Sequence, residues 1–270
     1  MTTMKQWVIA AILIISGTSV FTGCNNSNGD NPVNDNNLSE KIIGKWILAE
    51  NNGEPALTNL KTVITFVSPT KAYGPQADCY GTAWNDDVLA DVRIEGNKVA
   101  LTAQDGDGVG HLVDMAIRSI SDKYMYMDFV WRVVVGGETV YQEASNDCWE
   151  RITEDYSDAI LGVWQGKRIN DESGYDDGNE HRWAFHADDT YTFYDKVNGE
   201  WQAMDDVISD YIVDGTLLCT RWQASGAGEV ENREWWEIES VKNGVMKWKA
   251  LRMREDGSTY TATYELVKVQ

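Results

Sequence analysis

Positively charged side chains are scarce in this chain. Its 270 residues include 23 lysines and arginines against 43 aspartates and glutamates, which gives a formal net charge of −20. Proteins that bind nucleic acid need lysine and arginine to replace the counterions of the phosphate backbone, and anionic membrane surfaces attract basic segments. The composition therefore argues against a nucleic-acid partner and against a protein that lies flat on anionic lipid. We interpret the acidic surface as a source of solubility.

Signatures of metal binding and catalysis are also missing from the sequence. The three histidines are scattered and no Cys-x-x-Cys pair occurs, while His181 and His186 fall on opposite faces of a strand. The acidic loop at 105–108 lacks a calcium-loop pattern, because Val109 and Ala116 stand where oxygen ligands are needed. No serine lies in a Gly-x-Ser-x-Gly elbow. We predict that the protein is not an enzyme and has no cofactor and no metal site.

Cysteine is rare, with four in the chain. Cys79 and Cys148 lie in the first half of the sequence, and Cys219 stands alone in the second half. In an oxidising compartment, a disulfide between Cys79 and Cys148 would close the first half of the chain. Free thiols at these positions are the alternative.

The second half of the chain repeats the first. Gly44 and Trp46 recur 118 residues later as Gly162 and Trp164. Four further segments recur in the same order at offsets of 119 to 121 residues: 64–66 at 183–185, 94–96 at 213–215, 117–119 at 238–240, and Gly137 at Gly257. This order predicts a tandem duplication. We place the modules at 39–153 and 160–270, with a linker at 154–159.

Alternating apolar and polar residues dominate both modules and indicate β-strands. Two clear apolar rows are Met125, Met127, Phe129 and Trp131 in the first module and Tyr260, Ala262, Tyr264 and Leu266 in the second. Gly136-Gly137 and Asp256-Gly257 are typical hairpin turns. The mature chain shows no convincing helical stripe. We predict an all-β protein with about eight short antiparallel strands in each module, forming barrels or sandwiches.

The duplicated Gly-x-Trp pattern favours the barrel. On the first strand of each module, Gly44 with Trp46 and Gly162 with Trp164 resemble the opening motif of the lipocalins and their bacterial lipocalin-like relatives. The resemblance implies that each tryptophan packs across the closed end of a barrel and that each glycine lets the strand bend. We therefore expect two tandem small antiparallel β-barrels, with β-sandwiches as the alternative.

The N-terminal region has the layout of a secretory signal. Lys5 precedes an apolar run at 7–15, which is short for a membrane span, and the sequence then reaches Cys24 through Thr22 and Gly23. This segment resembles the lipobox of bacterial lipoproteins. The resemblance implies a signal peptide at 1–23, a lipidated Cys24 and attachment to a membrane through that lipid anchor.

The residues after Cys24 predict a flexible tether. Asparagine, aspartate, glycine and serine dominate 24–38, a composition that buries too little apolar area to fold. Such a tether resembles those of lipoproteins of the Bacteroidota. It implies a cell-envelope protein, anchored at the outer membrane, whose orientation towards the periplasm or the surface stays open.

Aromatic residues are abundant, with twelve tryptophans and twelve tyrosines. Aromatic rings stack on the apolar faces of sugars and line apolar cavities, although most such residues form cores. Because Trp235 and Trp236 are adjacent in a strand, one of them should point out of the barrel. The candidates for ligand contact lie beside charged or turn residues in the second module: Trp183, Trp201, Trp222 and Trp235.

Two functional hypotheses follow. The first is a non-catalytic envelope lipoprotein whose lipocalin-like barrels bind a small apolar or glycan ligand. The second is a structural or interaction lipoprotein, whose barrels are filled by their own side chains and whose outer faces contact an envelope partner.

Overall fold

The fold is nearly all β. The computed structural model describes residues 35–77, 84–85, 88–104, 108–172, 179–204, 206–226, 228 and 230–269. A short helix, α1 (Asp35–Lys41), precedes the first sheet, and a 3₁₀ turn follows at Thr58–Leu60. The predicted signal peptide at 1–23 and the anchor Cys24 lie outside the described residues. In the described part of the chain, no helix has the length and apolar character needed to cross a membrane.

The first sheet closes into an eight-stranded antiparallel barrel, here called barrel 1. Its first and last long strands pair with each other, with Trp46 opposite Arg151, and a short ninth strand pairs with the end of the first. The strands are β1 (Gly44–Asn51), β2 (Glu54–Pro55), β3 (Val63–Ser68), β4 (Lys71–Tyr73), β5 (Leu89–Glu95), β6 (Lys98–Gln104), β7 (Gly110–Ile120), β8 (Tyr124–Val135) and β9 (Glu138–Ile152).

The second sheet repeats this order in a less closed form, here called barrel 2. Its strands are β10 (Gly162–Ile169), β11 (His181–Phe185), β12 (Tyr191–Val197), β13 (Glu200–Ala203), β14 (Asp206–Asp214), β15 (Leu217–Ala224), β16 (Asn232–Lys242), β17 (Val245–Met253) and β18 (Thr259–Lys268). β14 and β13 are the two ends of the strand order. The sheet curls until Thr190 bridges Asp210. The equivalent pair in barrel 1, Lys71 with Asp91, lies within a regular β4–β5 ladder.

The two sheets confirm the prediction of tandem antiparallel barrels. The register of the first strands is shared, because Gly44 pairs with Phe66 and Gly162 pairs with Phe185. Each barrel has its own apolar core, formed by the inward-facing residues of alternating strands. Barrel 2 has one extra hairpin strand, β13, which pairs with β12.

The last residues of the predicted tether, 35–38, and the predicted linker contribute to the folded structure, and the rest of the tether lies outside the described residues. Leu38 is fully buried in the core of barrel 1, within α1, so the folded part begins before the predicted boundary at residue 38. Tyr156, in the predicted linker, is buried in the core of barrel 2. The amide N–H of Ile42 donates to Leu38 and that of Ile160 donates to Tyr156. The duplication therefore extends upstream of the Gly-x-Trp motif, because Leu38 and Tyr156 are each buried in the core of their barrel.

Gly166 marks the closest approach of two strands in barrel 2. It pairs with Leu266 on β18, and a Cβ atom at Gly166 would lie 1.9 Å from the carbonyl oxygen of Glu265. The backbone of Glu265 cannot move away from an added Cβ without breaking hydrogen bonds of the β10–β18 ladder. We expect Gly166→Ala to lower the free energy of unfolding of barrel 2 by about 1–3 kcal/mol or more. Gly74→Ala is the control in urea unfolding, because nothing lies within 4 Å of its added Cβ; equal effects of the two variants would contradict the close approach.

The two barrels share a third apolar core. Ile47 and Val63 of barrel 1 pack with outward-facing residues of barrel 2, including Leu217, Cys219 and Trp235. Ion pairs surround this core: Lys45 contacts Asp214 at 2.9 Å, and Lys61 contacts Glu237 at 2.7 Å. The hydroxyl of Thr58 accepts a hydrogen bond from the amide of Leu251 at 2.8 Å.

Trp84 extends this contact from the connection between β4 and β5. The guanidinium groups of Arg221 and Arg233 of barrel 2 lie 4.5 and 5.0 Å from the centroid of its ring. Such cation–π contacts contribute about 0.5–1 kcal/mol each at exposed sites. We expect Trp84→Ala to weaken the coupling of the barrels by about 1–2 kcal/mol and to separate their unfolding transitions.

The matched control is Trp201→Ala. Trp201 stacks under Arg182 at 4.3 Å, within barrel 2 alone. Its loss should leave the unfolding of barrel 1 unchanged in differential scanning calorimetry. A Trp84→Ala variant that unfolds with the same profile as the parent protein would contradict the coupling role.

Candidate functional site

The repeated tryptophans lie at one end of each barrel. The indole N–H of Trp46 donates to the carbonyl of Ile42 at 2.7 Å, and that of Trp164 donates to Ile160 at 2.6 Å. A cation covers each ring: Arg151 lies 4.1 Å from the Trp46 ring centroid, and Lys268 lies 5.1 Å from that of Trp164. Both tryptophans are almost fully buried.

The glycines of the motif make room for these cations. Gly44 and Gly162 have positive φ values of 124° and 115°, a conformation that favours glycine. A Cβ atom on Gly44 would lie 2.7 Å from Nη1 of Arg151. Arg151 also donates to the carbonyls of Ile43 at 2.6 Å and Asp122 at 2.9 Å. The motif therefore holds one end of each barrel together and does not form an open binding site.

The four tryptophans predicted to contact a ligand lie in different surroundings. Trp183 is 3% exposed in the aromatic core of barrel 2. Trp222 packs partly against that core, and Trp201 lies in the β12–β13 hairpin beneath Arg182. Trp235 points out of barrel 2, as predicted for one of the adjacent pair, but barrel 1 covers it. The sequence shows which face a residue takes and does not show what covers that face.

A buried charged cluster lies near the other end of barrel 2. Arg168 donates through Nη1 and Nη2 to the two carboxylate oxygens of Glu234, at 2.9 and 3.0 Å. Arg168 also donates to Asp171 at 2.8 Å, and Arg252 donates to Glu234 at 2.7 Å. The positive charges of two guanidinium groups thus balance the negative charges of two carboxylates. We call these four residues the charged tetrad.

Electrostatics keep the tetrad ionised. Burial raises the pKa of Glu234, but the facing Arg168 and Arg252 outweigh this effect and hold the pKa below its usual value of 4.5. The side chain of Asp171 has no exposed surface, and that of Glu234 is 11% exposed. Charges buried at this depth are stabilised by their partners and are costly when one partner is removed.

Aromatic side chains form the floor beneath the tetrad. The guanidinium of Arg252 lies 4.7 Å from the ring centroid of Trp236, and that of Arg168 lies 5.6 Å from Tyr264. The hydroxyl of Tyr264 is 3.0 Å from Nδ1 of His181 and accepts from Trp183 at 3.3 Å. Burial raises the pKa of Tyr264 well above its usual value. The hydroxyl of Tyr264 and the guanidinium groups of the tetrad are thus each oriented by neighbouring side chains.

Sequence reasoning missed the tetrad, although a signal was present. The inward row of β17 runs Met246, Trp248, Ala250 and then Arg252, and the inward row of β16 runs Glu234, Trp236 and Ile238. A single charge at the same end of two apolar rows, with opposite signs, indicates a buried ion pair. The pairing of β16 with β17 brings Glu234 and Arg252 into contact.

The same end of barrel 1 is different. Its core is mainly apolar, with Met115, Met125, Met127 and Trp149 nearly fully buried. The one buried carboxylate described there, Asp147, accepts a hydrogen bond from the indole N–H of Trp149 at 3.2 Å. Beyond this core, β7, β8 and β9 carry three aromatic rings on the face that continues the barrel interior. His111 stacks on Trp131 with ring centroids 6.2 Å apart, and Trp131 meets Tyr141 edge-on at 5.3 Å. We call these three residues the aromatic row.

Cys148 is a free, buried thiol. Its predicted disulfide partner, Cys79, lies outside the described residues, so no disulfide is seen in the part of the chain that the structure describes. Burial raises the pKa of Cys148 to about 11, which makes the thiol a poor nucleophile at neutral pH. Among the described residues, no group of three or more histidine, cysteine, aspartate or glutamate side chains is placed to hold a metal ion.

Comparison with known proteins does not identify a family. No protein-family model and no curated protein matches the sequence.

Proposed function

We propose that this protein is a non-catalytic cell-envelope lipoprotein that binds its ligand at the open end of a barrel and not within the barrel interior. The observation that carries this proposal is the packing of both interiors. The largest fully buried side chains include Trp46 and Trp149 in barrel 1 and Trp164, Trp236 and Trp248 in barrel 2. Small barrels of eight strands are just wide enough for side chains to fill.

The class of ligand follows from the side chains that remain exposed at the barrel ends. An apolar ligand needs a cavity that covers most of its surface, and the interior positions are already taken by the protein's own side chains. A glycan can bind on a shallow surface, since its apolar faces stack on half-exposed rings and its hydroxyls bond to polar groups. The aromatic row offers such rings. We therefore favour the glycan over the small apolar molecule.

The anchor belongs to the proposal as well. Lipidation of Cys24 is supported by the lipobox-like sequence, and the lipocalin-like Gly-x-Trp motif is supported by its shared geometry in both barrels. A polar segment then separates the lipid from the first folded residue. This arrangement would hold the binding surface at a membrane without inserting it.

Thermal unfolding of the lipidated protein in detergent tests the proposal. We expect a raised Tm with at least one member of a ligand panel of neutral oligosaccharides, acidic polysaccharides and long-chain fatty acids, because a ligand that binds the folded state stabilises it. A Tm that stays constant across the whole panel would contradict ligand binding.

The packed interiors also favour a second candidate, a structural lipoprotein whose outer faces contact an envelope partner. Crosslinking in intact cells separates this candidate from the first. A reproducible crosslinked partner would support it, and recovery of the monomer alone would argue against it.

A further inference from the structure

Barrel 1 carries a strand extension that barrel 2 lacks. Strands β8 and β9 contain 12 and 15 residues, whereas the corresponding β17 and β18 contain 9 and 10. The additional length lies at the β8–β9 hairpin, where Val133 pairs with Tyr141 and also lies opposite His111 of β7. β7 itself is not extended, since it and its counterpart β16 both contain 11 residues. The repeat therefore accounts for the barrel but not for this two-stranded extension.

The aromatic row lies where this extension joins the barrel. His111 comes from β7, Trp131 from β8 and Tyr141 from β9, on diagonal positions of the ladder. His111 and Trp131 are half-buried, and Tyr141 is 41% exposed. The rings are held by the pairing of their strands, so the row is organised before any ligand arrives.

A carboxylate lies within the row. Glu143 is the cross-strand partner of Trp131 and accepts a hydrogen bond from the hydroxyl of Tyr141 at 2.9 Å. The nearest arginine of β8, Arg132, falls on the opposite face and pairs with Asp114. Aromatic rings beside an acidic acceptor suit a ligand with apolar ring faces and hydroxyl donors.

We propose that the aromatic row of His111, Trp131 and Tyr141, together with Glu143, binds a neutral carbohydrate chain. This inference rests on the proposed function and names its site and ligand class. The rings stack on pyranose faces, and the Glu143 carboxylate accepts hydrogen bonds from sugar hydroxyls. The formal net charge of −20 repels acidic polysaccharides, which selects neutral chains.

Titration with defined oligosaccharides tests the site. The full-length protein is titrated with maltohexaose, cellohexaose, xylohexaose and mannohexaose, with polygalacturonate as the acidic probe, and tryptophan fluorescence reports binding. We expect at least one neutral chain to bind and polygalacturonate not to bind. For that chain, Trp131→Ala and Tyr141→Ala should each weaken binding by about tenfold or more, as for central aromatic contacts.

The control is Tyr73→Ala. Tyr73 is also an exposed tyrosine of barrel 1, at 36% exposure, and it lies on β4, away from the aromatic row. Its variant should bind as the parent protein does. Because Tyr141 is an exposed residue, Tyr141→Ala remains informative even if Trp131→Ala does not fold.

The outcomes separate the inference from the proposed function. Neutral-chain binding that is unchanged in Tyr141→Ala would overturn this site and leave a glycan-binding protein. A ligand panel that raises the Tm while none of the neutral chains binds would overturn the ligand class and leave ligand binding. Binding of polygalacturonate in place of the neutral chains would also overturn the inference.

Discussion

Replacing Glu234 with glutamine is expected to lower the free energy of unfolding of barrel 2 by about 3–5 kcal/mol. Glu234 accepts from both Arg168 and Arg252, so its neutralisation leaves the tetrad with a net positive charge inside the barrel. A buried guanidinium group that loses its counter-charge keeps its desolvation cost and loses its compensation. Urea unfolding followed by tryptophan fluorescence measures the change.

Two further variants show whether the effect belongs to the tetrad. Glu265→Gln removes a carboxylate from the exposed pair with Lys247, and we expect a change of at most about 0.5 kcal/mol. The double variant Glu234→Gln with Arg252→Gln restores neutrality, so it should be less destabilised than the sum of its single variants. Additive losses would contradict the coupling of these side chains.

The effect of Glu234 should depend on pH. Its pKa in the folded protein lies below the usual 4.5 because the two arginines outweigh burial, so the unfolded chain takes up a proton first as the pH falls. The stabilisation is therefore present above about pH 4.5 and is lost as the pH falls through the folded pKa. We expect the stability gap between the parent protein and Glu234→Gln to be widest near neutral pH and to narrow in acid. A constant gap would contradict an ionised Glu234.

Replacing Trp46 with alanine is expected to cost about 3–5 kcal/mol. Trp46 is fully buried, donates to Ile42 and lies under Arg151, so its loss opens a cavity where the first and last strands of barrel 1 meet. Hydrogen exchange should show faster exchange in β1 and β9. Trp164→Ala should move the same effect to β10 and β18, because the two sites share one geometry.

A conservative substitution separates the contributions of packing and hydrogen bonding to the stability that Trp46 provides. Trp46→Phe keeps an aromatic ring beneath Arg151 and removes the indole N–H that donates to Ile42. A buried hydrogen bond contributes about 1 kcal/mol, so most of the stability should remain. If Trp46→Phe were as unstable as Trp46→Ala, the packing account of the motif would be wrong.

The sequence predicted the fold because its signals are periodic. The Gly-x-Trp repeat and the alternating apolar rows of β8 and β18 identify the duplicated modules and their strands. Met125, Met127, Ala262, Tyr264 and Leu266 of those rows are buried as expected. Boundaries were less predictable. Leu38 and Tyr156 are single apolar residues in polar surroundings, and their burial depends on the barrel ends that they cover.

The candidate sites were harder to predict for a different reason. The aromatic row and the tetrad each join three or more strands, so their members are brought together by register and not by spacing along the chain. Trp131 was visible as part of an apolar row, but its contacts with His111 and Tyr141 follow from the pairing of β8 with β7 and β9. Trp235 was visible as an outward residue, but its cover comes from the other barrel.

The central claim is that the barrel interiors are packed and that ligand binds outside them. Native mass spectrometry of the mature protein, purified from the envelope of its own host, tests this claim most directly. We expect the mass of the lipidated polypeptide alone, with additional mass appearing when a neutral oligosaccharide is added. A reproducible additional mass that survives purification and remains in the Tyr141→Ala variant would place a ligand away from the aromatic row and would contradict the account.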